Sequence, residues 1–171
     1  MIQPIMESDR PLTDSALEAH EWHRGAFTIS TERGRLDLER IHEFLASSYW
    51  AKGVTLETVR RSIEHSLPFG VFAGMELVGF GRVITDYATF AYIADVFVMP
   101  AYRKRGLGKW LIEVMLAHPA LQGLRSWGLK TREAQALYRG LGFGPLPDPN
   151  VYMTFRPART PAPGGEPGEA R

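Results

Sequence analysis

An α/β domain is the fold class the sequence predicts, on three observations. Runs rich in β-branched and aromatic residues alternate with runs whose apolar residues recur at helical spacing. The clearest such pair is a strand from Phe90 to Val98 and a helix ending near Ala117, joined by a basic turn with two glycines. The chain has 171 residues and 44% hydrophobic content, enough for one domain with a sizeable core.

Taken in order, the residues up to about Ala26 are mixed and weakly patterned. His20 and His23 stand three apart, but no further ligand cluster accompanies them, and they read as surface histidines rather than a metal half-site. Ala26 to Thr31 reads as a first strand and Glu32 to Arg35 as a turn. Leu38, Ile41, Phe44 and Leu45 predict a helix from about Asp37 to Ala46, with Asp37 as its cap. Thr55 caps a second helix that buries Val59, Ile63 and Leu67 and stops at Pro68.

Phe69 to Ala73 and Glu76 to Thr85 read as strands joined at Gly74, followed by a turn at Asp86 to Ala88 and the strand from Phe90. His118-Pro119 ends the long helix, because the residue before a proline is biased away from helical backbone. Leu124 to Lys130 predicts another strand, Arg132 to Gly140 a helix stopped at Gly142, and Asn150 to Arg156 a final strand. Residues 1–156 form a single domain in this reading. Residues 157–171 are rich in Pro and Gly, with almost nothing to bury, and predict a disordered tail.

The turn from Arg103 to Gly108 is the most informative stretch. A strand, a basic glycine turn and a helix together make a place to hold phosphate. Free N–H groups at the helix start point outward, and the helix dipole favours negative charge there. Two familiar patterns fail here. A P-loop would need glycine where Arg103 stands and a hydroxyl where Trp110 stands. A dinucleotide fingerprint would need glycine where Leu111 stands.

Arg103-Lys104-Arg105-Gly106-Leu107-Gly108 instead resembles the acetyl-CoA loop of the GNAT superfamily of N-acetyltransferases. The preceding Phe97-Val98-Met99-Pro100-Ala101-Tyr102-Arg103 matches the strand end of that family. Ala134, Tyr138, Gly142 and Phe143 match its later helix. The resemblance covers roughly Val71 to Phe155. It implies a mixed, mostly antiparallel sheet flanked by helices and split between the fourth and fifth strands. It implies acetyl-CoA as acyl donor, with no metal. Backbone amides from Arg105 through Gly106, Leu107 and Gly108 to Lys109 would face the pyrophosphate, with Arg103 and Lys104 adding charge. The backbone of Val96, Phe97 and Val98 would pair with the amide arm of CoA like an added strand. Ala134 belongs to the same cofactor-binding set. Thr131 stands where many members carry a CoA-contacting asparagine, and its hydroxyl replaces part of that contact.

Acetyl transfer to an amine needs a base, since an alkyl amine of pKa about 10.4 is protonated in all but roughly one molecule in a thousand at neutral pH. Asp95, an acid in an apolar strand beside the CoA-pairing run, is the first candidate, and a structural aspartate is its plainer reading. Asp86 is the second candidate, with a simple turn role favoured. The resemblance makes Tyr138 the acid near the CoA sulfur; a core tyrosine is the alternative. The acceptor pocket is expected between Ser47 to Gly53, the strands around Arg82 and Tyr92, and Asn150 to Tyr152, walled by Tyr49, Trp50, Tyr87 and Tyr152.

The resulting function is transfer of an acetyl group to a primary amine of a small molecule. A non-catalytic CoA-binding regulatory module and a peptide or protein N-acetyltransferase remain as alternatives. A formal net charge of +1 and no aromatic-interleaved basic runs point away from nucleic acid. No stretch approaches twenty apolar residues, which points away from a membrane span. Without cysteine there is neither disulfide nor thiolate site, and without an export pattern at Met1 to Glu7 a cytoplasmic location is the expectation. A homodimer, common among relatives of this kind, stays open.

Overall fold

A computed structural model describes residues 18–155. The tail expected after residue 156 and the start of the chain lie outside the described residues. Six strands form one sheet in chain order: β1 (Glu21–Arg24), β2 (Phe27–Ser30), β3 (Leu67–Ala73), β4 (Glu76–Thr85), β5 (Phe90–Val98) and β6 (Ser126–Gly128). Neighbours are antiparallel except β5 and β6, which run parallel. The helices are α1 (Leu38–Ser47), α2 (Leu56–Glu64), α3 (Leu107–Ala117) and α4 (Gln135–Arg139).

The helix caps follow the sequence. Arg40 N–H donates to Asp37 Oδ1 at 2.9 Å, and Thr58 N–H donates to Thr55 Oγ1 at 3.2 Å. Two apolar layers sandwich the sheet. On one face Ile41, Leu45, Val59 and Ile63 of α1 and α2 pack on Phe72, Phe80 and Phe97. On the other, Trp110, Leu111, Val114 and Met115 of α3 pack on Phe69, Val71, Val83 and Ile93.

Four expectations are corrected. Glu21 to Arg24 is a strand, paired residue for residue with Phe27 to Ser30; its polar, short edge-strand sequence carries little hydrophobic alternation to reveal it. Leu67 and Pro68 open β3 rather than closing α2, which ends at Glu64. The final strand is absent among the described residues: Asp148 caps a single 3-10 turn at Pro149–Val151, and the chain runs on exposed to Phe155. The last helix is shorter than expected, spanning Gln135–Arg139 with Ala134 as its cap.

His20 also departs from the surface reading. Its ring lies 4.8 Å from that of His118, which is fully buried among Trp22 and Phe69. Ala120 N–H donates to His118 Nδ1 at 3.2 Å, so the neutral imidazole carries its proton on Nε2. Burial, helped by nearby His20, pushes the His118 pKa down to about 4. An unfolded histidine titrates near 6.5. Between these values the unfolded chain binds more protons, so stability is full above pH 6.5 and falls as pH drops from 6.5 towards 4. Urea titrations across that window are expected to show a loss of about 3 kcal/mol from this group. His118→Asn keeps an acceptor for Ala120 and should flatten the slope.

Candidate active site

The site is organised by an irregularity in β5. Arg82 sits opposite Ala94, yet Phe80 sits opposite Phe97, so β5 carries one residue too many at Asp95. Asp95 takes φ 55, a left-handed conformation that Asp tolerates better than most residues. The surplus residue reverses the alternation. Ala91 and Ile93 join the α3 layer, but Phe97 joins the α1/α2 layer and stacks on Phe44 at 3.9 Å. Val96 and Val98 thereby pack against the α3 layer.

Pairing with β6 stops early. Phe90, Ala91 and Tyr92 pair with Ser126, Trp127 and Gly128, and no β6 residue pairs with β5 beyond Tyr92. This is the expected split; counting β1, it falls between the fifth and sixth strands. Met99 N–H donates to Val78 C=O at 2.8 Å, so by the antiparallel ladder pattern the N–H and C=O of Val98 face away from β4. Arg103 Nε donates to that Val98 carbonyl at 3.0 Å. The residue expected as phosphate charge thus also covers part of the open edge.

The loop beyond coils tightly. Lys104 has φ 61 and Gly106 φ 73, an arrangement that turns successive N–H groups towards one point. Gly106 is the cap of α3 and offers no side-chain acceptor. The first helical bond runs from Trp110 N–H to Gly106 C=O, so the N–H groups of Leu107, Gly108 and Lys109 have no partner among the described residues. A Cβ on Gly108 would meet only Val98 Cγ2, at 3.9 Å, so the protein's own packing does not demand glycine there. These features fit a diphosphate resting on the helix start.

Sequence reasoning missed Arg24. From β1 its Nη2 donates to Arg105 C=O at 3.4 Å, and its guanidinium lies 4.7 Å from the centre of the Trp110 ring. Only recognition of the β1–β2 hairpin would have brought it here. Arg105 in turn covers Tyr102 at 5.4 Å.

Two cavities lie against β5, one lined by Phe90 and Tyr92 of its paired half and the other by Asp95 at the bulge. The larger, about 680 Å³, is lined by Tyr92, Trp127, Tyr138, Phe143, Leu146 and Tyr152 among others. The smaller, about 590 Å³, is lined by Tyr49, Trp50, Lys52, Arg82 and Asp95 with the start of α2. The single acceptor pocket expected from sequence is therefore divided, and Asp95 and Tyr138 line different cavities. Tyr92 lines the larger, and its phenol is pushed up by burial, then by Tyr152 and by Asp95. Tyr87 lines neither and packs on the α3 layer.

Tyr138 is buried, edge-on to Phe143 at 5.7 Å, and burial pushes its phenol up to about 12. Thr131 lines the larger cavity while its Oγ1 accepts from Ala134 N–H at 3.1 Å, so its hydroxyl is already engaged in starting α4. Asp86 accepts from the N–H groups of Ala88, Thr89 and Phe90 and from Thr89 Oγ1, which holds its carboxyl far below the usual range. Asp86 is a turn residue. Asp95 Oδ2 accepts from Arg82 Nε at 2.7 Å, with both side chains more than four-fifths buried.

The Acetyltransferase (GNAT) family sequence model matches residues 17–143. A GNAT-family acetyltransferase structure from Xanthomonas campestris pv. campestris is 44% identical, with TM-score 0.76, covering 78% of this chain and 95% of that one. A Gibberella zeae protein described as an acetyltransferase is 28% identical over 60% of this chain and 68% of its own length. The mouse thialysine N-epsilon-acetyltransferase is 28% identical over 51% of this chain and 56% of its own. The chain belongs to the GNAT family and is an N-acetyltransferase.

The pairing at the bulge carries a stability test. Asp95→Ala leaves a mostly buried Arg82 without its carboxylate and puts an unsuitable residue at positive φ. A loss on the order of 3 kcal/mol in urea denaturation is expected. Asp95→Asn, which tolerates the left-handed backbone and keeps an acceptor, should lose clearly less.

Proposed function

We propose that the protein moves an acetyl group from acetyl-CoA directly to a primary amine of a small molecule. The observation that carries this is the uncapped start of α3 lying beside the open edge of β5. Acetyl-CoA bound there supplies an activated thioester. The amides of Leu107, Gly108 and Lys109 hold the diphosphate, and Arg24, Arg103, Lys104 and Arg105 supply positive charge around it. The outward N–H of Val98, on the stretch of β5 that β6 leaves open, offers the coenzyme's amide arm a strand-like partner, while Phe97 between Val96 and Val98 turns its own N–H and C=O to β4. Asp95 removes the ammonium proton, directly or through a water. Tyr138 donates its O–H to the departing sulfur.

Two aromatic-walled cavities support a small acceptor over a peptide, which would ask for an open acidic groove; among the described residues Asp95 is the one carboxylate lining either cavity. The mouse relative, named for acetylating thialysine, points the same way. An acetyl-CoA consumption screen over amines, amino acids and peptides tests the reading. Coenzyme binding without turnover of any amine would favour a regulatory module.

Two variants separate the roles. Tyr138→Phe should lower kcat about a hundredfold while leaving the dissociation constant of CoA nearly unchanged; equal loss in both would remove the acid role. Gly108→Leu replaces a helical glycine with a good helix former, so the melting temperature should hold or rise, by the equivalent of up to about 1 kcal/mol. Its affinity for CoA, measured by calorimetry, should fall at least roughly tenfold because the side chain fills the space over the free amides. Unchanged affinity would place the diphosphate elsewhere.

A further inference from the structure

We propose that the acceptor is a free α-amino acid, read by the Arg82–Asp95 pair, with its α-amine acetylated. This rests on the transferase reading above and names its substrate class. Arg82 spends Nε on Asp95 Oδ2, at 2.7 Å. Its two Nη groups make no hydrogen bond to the described residues, although the side chain is only 14% exposed and lines the smaller cavity. A guanidinium anchored through Nε presents its remaining N–H groups as a fork, the geometry that takes a carboxylate in two parallel bonds. Asp95 Oδ1 is likewise without a hydrogen bond to the described residues. A cationic fork and a carboxylate oxygen, on partners already in contact, match the adjacent carboxylate and ammonium of an amino-acid head group.

The charge around the cavities points the same way. Among the described residues, Lys52 and Arg82 face one carboxylate in the smaller cavity, and Lys130 and Arg139 line the larger with none. A polyamine or other polycation would find, among the described residues lining the cavities, no carboxylate beyond one already matched by Arg82. A zwitterion finds a partner for each charge. Tyr49 and Trp50, at the mouth, offer apolar ring surface for the side chain.

The step balances. The α-ammonium gives one proton to Asp95, and the freed nitrogen attacks the thioester carbonyl. A C–N bond forms and the C–S bond breaks. The second nitrogen-bound proton goes to solvent, and the departing sulfur takes one proton from water. Products are an N-acetyl amino acid, CoA and one proton released from Asp95.

The test compares matched acceptors in a CoA-release assay: phenylalanine with its amide and with phenethylamine, leucine with isoamylamine, and lysine with cadaverine. Free amino acids are expected to exceed their carboxylate-free partners by roughly ten- to a hundredfold in kcat/KM, the range of a charge-assisted pair. Mass spectrometry should place the acetyl group on Nα. In Arg82→Lys and Arg82→Gln that ratio should collapse to within a few-fold, which a purely structural Arg82 would not cause. Unaltered CoA binding by each variant shows that it is folded; should Gln fail to fold, Lys and the wild-type panel decide. Equal or better turnover of the carboxylate-free amines, acetylation of the lysine side chain, or a ratio unmoved in a folded variant overturns the proposal and leaves the transferase reading standing. Turnover of no amine overturns both.

Discussion

One surplus residue in β5 is the constraint on which the site depends. A strand that alternates without interruption would send Phe97 to the same face as Ile93. With Asp95 inserted, Phe97 enters the aromatic layer under α1 and α2, and Val96 and Val98 turn to the α3 side. A bulge also bends its strand and increases the local twist. The far half of β5 thereby leaves β6, whose pairing ends at Tyr92. The open edge, the acid beside Arg82 and the approach of α3 to Val98 are consequences of the same insertion.

The ion pair at that bulge is poor evidence for stability in its own right. Desolvating a carboxylate and a guanidinium costs several kcal/mol each, and their attraction roughly offsets it. A hydrophobic pair would fill the position without that cost, so the pair's presence beside a cavity points to use of its charges. The cations near α3 follow a related logic. Arg24 rests on Trp110, Arg105 on Tyr102, and Arg103 on the Val98 carbonyl. Aromatic faces and a carbonyl orient these charges without neutralising them. Of the loop cations Arg103, Lys104, Arg105 and Lys109, only Lys109 has a carboxylate partner among the described residues, Glu113 at 3.4 Å. Held in place and left uncompensated, they raise the potential at the free amides.

Much of this was legible in the chain. The bounds of β4 and β5 and the end of α3 follow from β-branched runs, Pro100 and His118-Pro119. Asp37 and Thr55 announce their helices because capping is local chemistry. What stayed hidden is what tertiary contact decides. Glu21 to Arg24 has no alternation of its own and is a strand because Phe27 to Ser30 gives it a partner. Arg24 reaches the loop only through that hairpin. A bulge has no pattern signature, so Asp95 could be noticed as an acid among apolar residues but not as the point where the strand turns. The division of the acceptor region into two cavities depends on where the exposed run near Tyr152 lies, and nothing in its composition says so.

The placement of Tyr138 limits what an acid can do there. Its phenol, raised to about 12 by burial, lies above an alkyl thiol near 8.5. Full transfer of the proton to sulfur would be uphill by about 5 kcal/mol. A hydrogen bond to developing negative charge has no such cost, and a low-dielectric surrounding strengthens it. Burial that weakens Tyr138 as an acid therefore suits it as a fixed donor, holding its proton at any physiological pH. The final proton on sulfur then comes from water. In the proposed mechanism the two cavities would divide the chemistry: the polar one around Asp95 and Arg82 would handle the amine's protons, and the apolar one around Tyr138 would handle charge on the leaving group.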